Sequence, residues 1–131
     1  MSTIFTKIIK GEIPCYKIAE DDNYFAFLDI NPVAKGHVLV VPKKEVDVFF
    51  ELSDDLLEGI MPFCKKVAKA IESVVECDRI GLTVIGLEVP HAHVHLIPIT
   101  NMGDMSFSKE KLKLNPKDFM ELAQKIQAVI A

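Results

Sequence analysis

Three histidines alternate with apolar residues in the stretch His91-Ala-His-Val-His-Leu-Ile97. In an extended chain, residues i, i+2 and i+4 point to one face of a sheet, and each step of two advances about 6.6 Å. The three imidazoles would therefore share one face, while Ala92, Val94 and Leu96 turn towards apolar packing on the other. This alternation constrains the fold most, because it predicts a strand over 91–98 with a core on one side and polar side chains on the other.

Three interpretations of this histidine row compete. Buried core histidines would each need hydrogen-bond partners. A zinc ion could use two imidazole nitrogens of an H-x-H pair. A neutral imidazole, whose ordinary pKa is about 6.5, can also attack phosphorus when its other ring nitrogen is held by an acceptor. Neighbouring donors would then stabilise the phosphoryl charge. In the last interpretation, one imidazole attacks the phosphorus and its neighbours stabilise the charge.

Length and composition narrow the class of protein. A chain of 131 residues has room for one domain. Half of the residues are apolar and 26% are charged, which is typical of a globular protein rather than a disordered one. The formal charge is −4, and Arg79 is the one arginine among 15 basic residues. We therefore expect no nucleic-acid partner, since a nucleic-acid groove needs clustered positive charge.

The cysteines and the hydropathy pattern indicate the cellular compartment in which we expect the protein. Cys15, Cys64 and Cys77 are odd in number, widely spaced and form no C-x-x-C pair. No stretch approaches the roughly 18 apolar residues of a membrane span. The first residues lack the basic-then-apolar order of a signal peptide. We expect reduced thiols, no membrane partner and a cytoplasmic protein.

Periodicity and turn residues predict an α+β fold. About five mostly antiparallel strands combine with one long helix, a short N-terminal helix and a C-terminal helix. The long helix begins at a Ser53 cap, and the last helix follows Asn115-Pro116. The predicted strands are 16–19, 24–28, 37–42, 79–85 and 91–98, and the predicted helices lie near 4–9, 53–76 and 116–130.

The residues His91-Ala-His-Val-His-Leu-Ile97 resemble the H-x-H-x-H-x-x motif of the histidine triad (HIT) proteins. The upstream segments Gly11-Glu-Ile-Pro14, Ala26-Phe-Leu-Asp-Ile-Asn-Pro32 and Gly36-His-Val-Leu-Val-Val-Pro-Lys43 are similar to the Hint-like branch in order and spacing. The resemblance covers about 3–99. It implies a single HIT-like domain over 1–131, with 100–131 as a C-terminal extension.

The resemblance also implies a function. Such proteins form homodimers, bind a purine nucleotide such as AMP, and hydrolyse or transfer at its α-phosphate through a nucleotidylated histidine, with no cofactor. His93 would be the nucleophile and His95 a phosphate contact. His91 would contact the phosphate or the leaving group, and His37 would support the triad from behind.

A nucleoside pocket is implied by the same resemblance. Asp29 would hold the ribose hydroxyls, although an acidic residue before Ile-Asn-Pro is also an ordinary turn residue. The apolar members of the pocket could equally be core. The predicted nucleoside residues are Ile4, Phe5, Ile8, Ile13, Phe27, Leu28, Asp29 and Ile30.

The chain departs from the family pattern at the zinc site that many members carry. The matching positions hold Thr3, Thr6 and Glu45, which leaves only His91 as a usual zinc ligand. A tetrahedral zinc site cannot be completed from this set, so we expect no metal.

Two further departures lie on either side of the triad. Leu87 and Glu88 stand where the family has Gln and Ser or Thr. A carboxylate beside the phosphate would repel it unless a lysine intervenes. If the strand is already extended at Glu88, this side chain is out of phase with the histidines and faces away from them. Gly86 and the backbone after it are expected to supply donors instead. Beyond Pro98 the chain differs from the short tails that shape leaving-group specificity in Hint-like proteins.

Three functional hypotheses follow. The first is a phosphoramidase-like nucleotide hydrolase or transferase acting through His93. The second is a nucleotide-binding regulatory or scaffold protein with weak or no catalysis, which Leu87 and Glu88 motivate. The third is a metal-dependent hydrolase.

Overall fold

The computed structural model describes residues 2–130 as one sheet flanked by helices. The elements are α1 (Ile4–Ile9), β1 (Lys17–Glu20), β2 (Tyr24–Leu28), β3 (Val38–Pro42), α2 (Asp54–Val74), β4 (Arg79–Thr83), β5 (Val94–Ile99) and α3 (Pro116–Ala128). Two short 3₁₀ turns cover Phe49–Glu51 and Met102–Met105. The strands all pair antiparallel in the order β1-β2-β3-β5-β4, so β1 and β4 are the two edges.

The predicted α+β architecture is confirmed, and the largest differences at strand ends are in β4 and β5. β4 ends at Thr83 rather than Ile85, and β5 begins at Val94 rather than His91. The N–H of His91 donates to the carbonyl of Val89 (2.8 Å), and that of Ala92 donates to Val46 (2.7 Å). Because these bonds lie outside the β3–β5 and β4–β5 ladders, His91 and His93 lie in an irregular lead-in before the strand.

One face of the sheet is covered by α2 and α3, and the main core lies between this face and the two helices. The predicted helix caps are confirmed: the Ser53 hydroxyl accepts from the N–H of Leu56 (3.2 Å), and the Asn115 side chain accepts from Asp118 (2.8 Å). α2 continues through Pro62, which faces solvent. There, water can satisfy the carbonyl that a proline leaves without an N–H partner. Core residues of this face include Ala26, Leu28, Val40, Val67, Ile71, Val94, Leu96, Phe119 and Ile126.

The opposite face of the sheet carries α1 and a smaller apolar cluster. Successive strand residues alternate between the two faces, so the neighbours of the core residues on β2 and β3 point here. The cluster consists of Phe5, Ile8, Phe25, Phe27, Leu39 and Val41. The histidines lie on this side, beside the cluster. No helix within residues 2–130 is both long and apolar enough to cross a membrane.

Candidate active site

A cavity of about 320 Å³ opens on the histidine face. Its wall combines the end of β2, the connection between β4 and β5, the triad and the segment that follows β5. The lining residues are Asp29, Asn31, Ile85, Gly86, Leu87, Glu88, His93, His95, Phe107 and Lys111. The structure thus brings His93, His95, Asp29, Gly86 and Glu88 together around one cavity.

His93 presents one unpaired ring nitrogen to this cavity. Its Nδ1 lies 2.8 Å from the carbonyl oxygen of His91, which can only accept, so Nδ1 carries the proton. The other nitrogen, Nε2, then has a lone pair and no hydrogen-bond partner within residues 2–130. The ring of Phe5 packs edge-on against the His93 imidazole at 5.0 Å between centroids and helps to fix its orientation. This tautomer is the one a nucleophilic imidazole needs.

A hydrogen-bond chain sets the tautomer of His95 as well. The N–H of Val33 donates to Nδ1 of His37 (3.1 Å), so the proton of the His37 ring is on Nε2. That Nε2 donates to Nδ1 of His95 (2.9 Å). The remaining proton of a neutral His95 is therefore on Nε2, where it is a donor on the cavity side. His37 is 1% exposed and supports His95 from behind.

Burial keeps both of these imidazoles neutral. Burial, with smaller effects of Lys111 and His93, lowers the pKa of His37 to about 4. Burial and the neighbouring His37 and His93 lower the pKa of His95 to about 3, against a smaller opposing effect of Asp29. His37 Nε2 also lies 3.6 Å from the Asp29 carboxylate, and with a neutral ring this contact is not an ion pair. At neutral pH the two imidazoles act as hydrogen-bonding dipoles rather than as cations.

His91 lies behind the cavity with both ring nitrogens engaged. Its Nε2 donates to the carbonyl of Pro42 (2.8 Å), and its Nδ1 accepts from the hydroxyl of Thr3 (2.8 Å). The residue is fully buried and does not line the cavity. This placement differs from the expected contact with phosphate or leaving group, because no ring nitrogen is free for one.

Thr3, Thr6 and Glu45 form a polar cluster with His91. The Glu45 carboxylate accepts from the Thr3 N–H (2.8 Å) and from the Thr6 hydroxyl (2.6 Å). These donors lower the pKa of Glu45. Structural zinc is usually bound by thiolates and imidazoles rather than by hydroxyls. The Nδ1 atom of His91 already accepts a hydrogen bond from the Thr3 hydroxyl. The residues present therefore do not fit the zinc site that the resemblance implies, and hydrogen bonds from Thr3 and Thr6 connect α1 to His91 instead.

A second set of possible metal ligands is Asp29, His37 and His95, whose ligating atoms lie within 4.8 Å of one another. The hydrogen bond from Val33 places the His37 proton on Nε2, the atom that a metal would have to bind. A metal ion needs a lone pair there, so binding would require breaking the Val33 contact. The geometry fits a hydrogen bond donated by His37 Nε2 to His95 better than a bound cation.

The structure places the eight predicted nucleoside residues in four different settings. Phe5, Ile8 and Phe27 are buried in the smaller cluster, with Ile13 packed against it. Ile4 and Ile30 are exposed, at 49% and 62% of their surface. Leu28 points into the main core on the other face of the sheet, away from the histidines. Of the eight predicted residues, Asp29 lines the cavity, and Phe5 contacts the triad.

Sequence reasoning did not find Phe107 and Lys111. The Phe107 ring lies edge-on to the His95 ring at 4.7 Å between centroids and 5.9 Å from the His37 ring. Both residues come from an irregular segment with no periodic pattern. Two features of the sequence bear on a lysine here: Arg79 is the one arginine of the chain, and the Glu88 carboxylate would need a cation beside it to tolerate an anion.

The fold and the site define an α+β protein with a histidine-lined cavity on one face of an antiparallel sheet. The HIT domain family matches residues 10–102. The adenosine 5'-monophosphoramidase hnt1 of Schizosaccharomyces pombe is 39% identical over 133 residues, which span 99% of each chain. The chain therefore belongs to the HIT family.

Solved structures agree with this assignment. A HIT-like protein from Bartonella henselae superposes with a TM-score of 0.83 at 31% identity, covering 97% of this chain and 95% of that one. A histidine triad nucleotide-binding protein from Candida albicans gives a TM-score of 0.68 at 31% identity, covering 97% and 96%. The similarity to both extends through the C-terminal helix as well as the sheet.

Proposed function

We propose that the protein is a purine-nucleotide hydrolase or transferase that acts at the α-phosphate of AMP-linked phosphoramidates or related conjugates. The observation that carries this proposal is the free Nε2 lone pair of His93, held in the cavity by the bond from Nδ1 to the His91 carbonyl. The phosphoramidase activity named for the fission yeast relative supports the same substrate class.

The reaction proceeds in two displacements. The Nε2 lone pair of His93 attacks the α-phosphorus, a bond forms between them, and the bond from phosphorus to the leaving nitrogen breaks. The leaving nitrogen keeps that electron pair and takes a proton from solvent. Water then attacks the same phosphorus, the bond to His93 breaks, and AMP leaves as the water proton returns to solvent.

The other histidines serve this step in different ways. The Nε2–H of His95 donates a hydrogen bond to a phosphate oxygen, and because His37 fixes this donor beforehand, the site needs little reorganisation as charge develops. His91 acts as a positioning residue, since its carbonyl holds His93 and its ring is fixed between Thr3 and Pro42. The backbone from Gly86 onward supplies further donors where the family usually has polar side chains.

The nucleoside lies towards β2 and α1 in this proposal. Asp29 has one carboxylate oxygen committed to the N–H of Asn31 (2.8 Å), which orients the group at the rim of the cavity. The second oxygen can accept from the ribose hydroxyls. The partly exposed side chains Ile4 and Ile30 can contact the base, and the buried Phe5 and Phe27 support that wall from below.

We also propose a homodimer formed through the β4 edge and α2. β4 has a strand neighbour on one side only. A groove beside it is lined mainly by apolar residues that a second copy would cover. The exposed members include Phe50 (86%), Leu87 (89%), Met61 (52%), Ile85 (44%) and Leu82 (43%).

Trapping the intermediate tests the proposed function. Wild-type protein quenched during turnover of adenosine phosphoramidate should carry one adenylyl group on a peptide containing His93, as read by mass spectrometry. His93→Ala should lose turnover by at least about 10³-fold and show no adduct. The matched control is His93→Ala supplied with free imidazole, which can restore some attack in a vacated pocket. Full activity of His93→Ala without imidazole would contradict the assignment.

A nucleotide-binding protein without catalysis is the second candidate, and the Glu88 carboxylate in the cavity wall favours it. It predicts AMP binding in calorimetry with no turnover and no adduct. A metal-dependent hydrolase predicts that activity is lost with a chelator and returns with metal. Our proposal predicts that chelation has no effect.

A further inference from the structure

The segment between β5 and α3 forms one wall of the cavity. It leaves the strand through the 3₁₀ turn Met102–Met105 and then places Phe107 against the rings of His95 and His37. Lys111, four residues later, lines the same cavity as His93 and His95. The segment that follows the triad strand thus contributes to the site.

This segment is fixed to the rest of the fold at several points. The Asp104 carboxylate accepts from the N–H groups of Thr100 and Asn101 (both 2.8 Å), which closes the first turn. The N–H of Leu112 donates to the carbonyl of Pro32 (2.9 Å), in the loop that follows Asp29. The position of Lys111 is therefore set from both ends of the segment.

The charges in the cavity wall are unbalanced for an anionic ligand. Asp29 and Glu88 are carboxylates, whereas Lys111 is the one lysine or arginine among the lining residues. His37 and His95 contribute no positive charge at neutral pH, because burial keeps them neutral. Arg79 lies elsewhere, in a groove with Lys65 and Lys69.

We propose that Lys111 is the phosphate-binding cation of this site, contacting the anionic oxygens of the nucleotide and offsetting Glu88. The inference rests on the proposed function, since it assumes a nucleotide in the cavity. The ammonium has three donors. Two are directed at the carbonyls of Phe107 and Lys109, the second at 3.3 Å, and the third is left for a phosphate oxygen.

The same hydrogen bonds make Lys111 hold the backbone beside Phe107. A substitution could therefore act through the shape of the wall rather than through charge. The two effects differ in what they do to an uncharged ligand: loss of charge weakens AMP and spares adenosine, whereas a displaced Phe107 wall changes both.

The test is isothermal calorimetry with AMP and with adenosine on wild type, Lys111→Met, Lys111→Arg and Lys113→Met. Lys113 is exposed, lies two residues away and does not line the cavity, so Lys113→Met makes the same charge change off the site. We expect Lys111→Met to weaken AMP by at least about tenfold with adenosine unchanged. Lys111→Arg should stay within about threefold of wild type, and Lys113→Met should match it.

Two results would overturn the inference and leave the proposed function standing. One is equal AMP affinity in Lys111→Met and Lys113→Met. The other is a parallel loss of AMP and adenosine in Lys111→Met, which would assign the lysine to the wall alone. If wild type binds neither AMP nor adenosine, the nucleotide site itself is wrong, and both proposals fail together.

Discussion

His37 and His95 are joined by a hydrogen bond of 2.9 Å between Nε2 of the first and Nδ1 of the second. Its direction is fixed from outside the pair, because the backbone N–H of Val33 donates to the far nitrogen of His37. One amide proton in a loop thereby determines which nitrogen of His95 presents a donor to the cavity.

Substituting His37 should therefore impair the chemical step through His95. In His37→Leu the tautomer of His95 is no longer set, and we expect kcat to fall about 10–100-fold. His37→Gln can place an amide N–H near the position of Nε2, so it should retain more activity than the leucine variant. Steady-state kinetics with adenosine phosphoramidate measures this, and ¹⁵N NMR of the ring nitrogens reads the tautomer directly. Equal kcat values for the two variants would contradict the role assigned to His37.

The depressed pKa values of the same pair make stability depend on pH. His37 has a pKa of about 4 in the folded protein, and an unfolded histidine titrates near 6.5. Between these values the unfolded chain binds the extra proton, so stability is complete above about pH 6.5 and declines as the pH falls towards 4. For His37 the loss is on the order of 3 kcal/mol. Thermal unfolding from about pH 7.5 to about pH 4.5 should show this decline, and His37→Gln should show a shallower one.

The polar cluster at Thr3, Thr6 and Glu45 should be convertible into a zinc site. The hydroxyl oxygens of Thr3 and Thr6 lie 2.8 and 3.4 Å from Nδ1 of His91, and Glu45 lies 2.6 Å from the Thr6 oxygen. The combined variant Thr3→Cys, Thr6→Cys and Glu45→His puts two thiolates and two imidazoles at these positions. We expect it to bind one zinc per chain and to unfold at a higher temperature with zinc than after chelation.

Elemental analysis and thermal unfolding measure both effects. The control is Thr3→Ser, Thr6→Ser and Glu45→His, which has the same second imidazole but no thiolates and should bind no zinc at stoichiometric concentration. If the cysteine variant behaves like the serine variant, the four side chains do not converge as the structure places them.

Local patterns made much of the fold predictable, and tertiary contacts account for what was missed. β2 was predicted over 24–28 as observed, and the caps at Ser53 and Asn115 were found, because strand alternation and capping are local. The hydrogen bond between His91 and Thr3 joins residues 88 positions apart, so spacing alone does not predict it, and only the resemblance put the two residues at one site. Contacts between residues distant in sequence, of His91 with Thr3 and of Ala92 with Val46, also fix the segment that leads into β5.

The candidate site shows the same division. His93, His95, Asp29 and Glu88 were predicted from motifs, and the structure gathers them around one cavity. Lys111 was not singled out, because it lies in a segment whose path depends on contacts at Pro32 and Asp104. Leu28 was placed in the nucleoside pocket by resemblance, but strand alternation sends it to the main core.

The exposed apolar groove beside β4 gives the last prediction, which concerns assembly. Leu82 is on the edge strand and 43% exposed, so a charged side chain there can reach solvent in an isolated subunit. In a dimer formed through this edge it would be buried without a partner, at a cost of several kcal/mol per interface. We expect wild type to be a dimer and Leu82→Glu to be a folded monomer by light scattering.

Met102→Glu is the control, because Met102 is apolar and 98% exposed but lies outside the groove. A monomeric wild type would refute the dimer, and a dimeric Leu82→Glu would move the interface elsewhere. Ile85, Gly86 and Leu87 line both this groove and the histidine cavity. Separation of the subunits should therefore raise the KM for adenosine phosphoramidate as well.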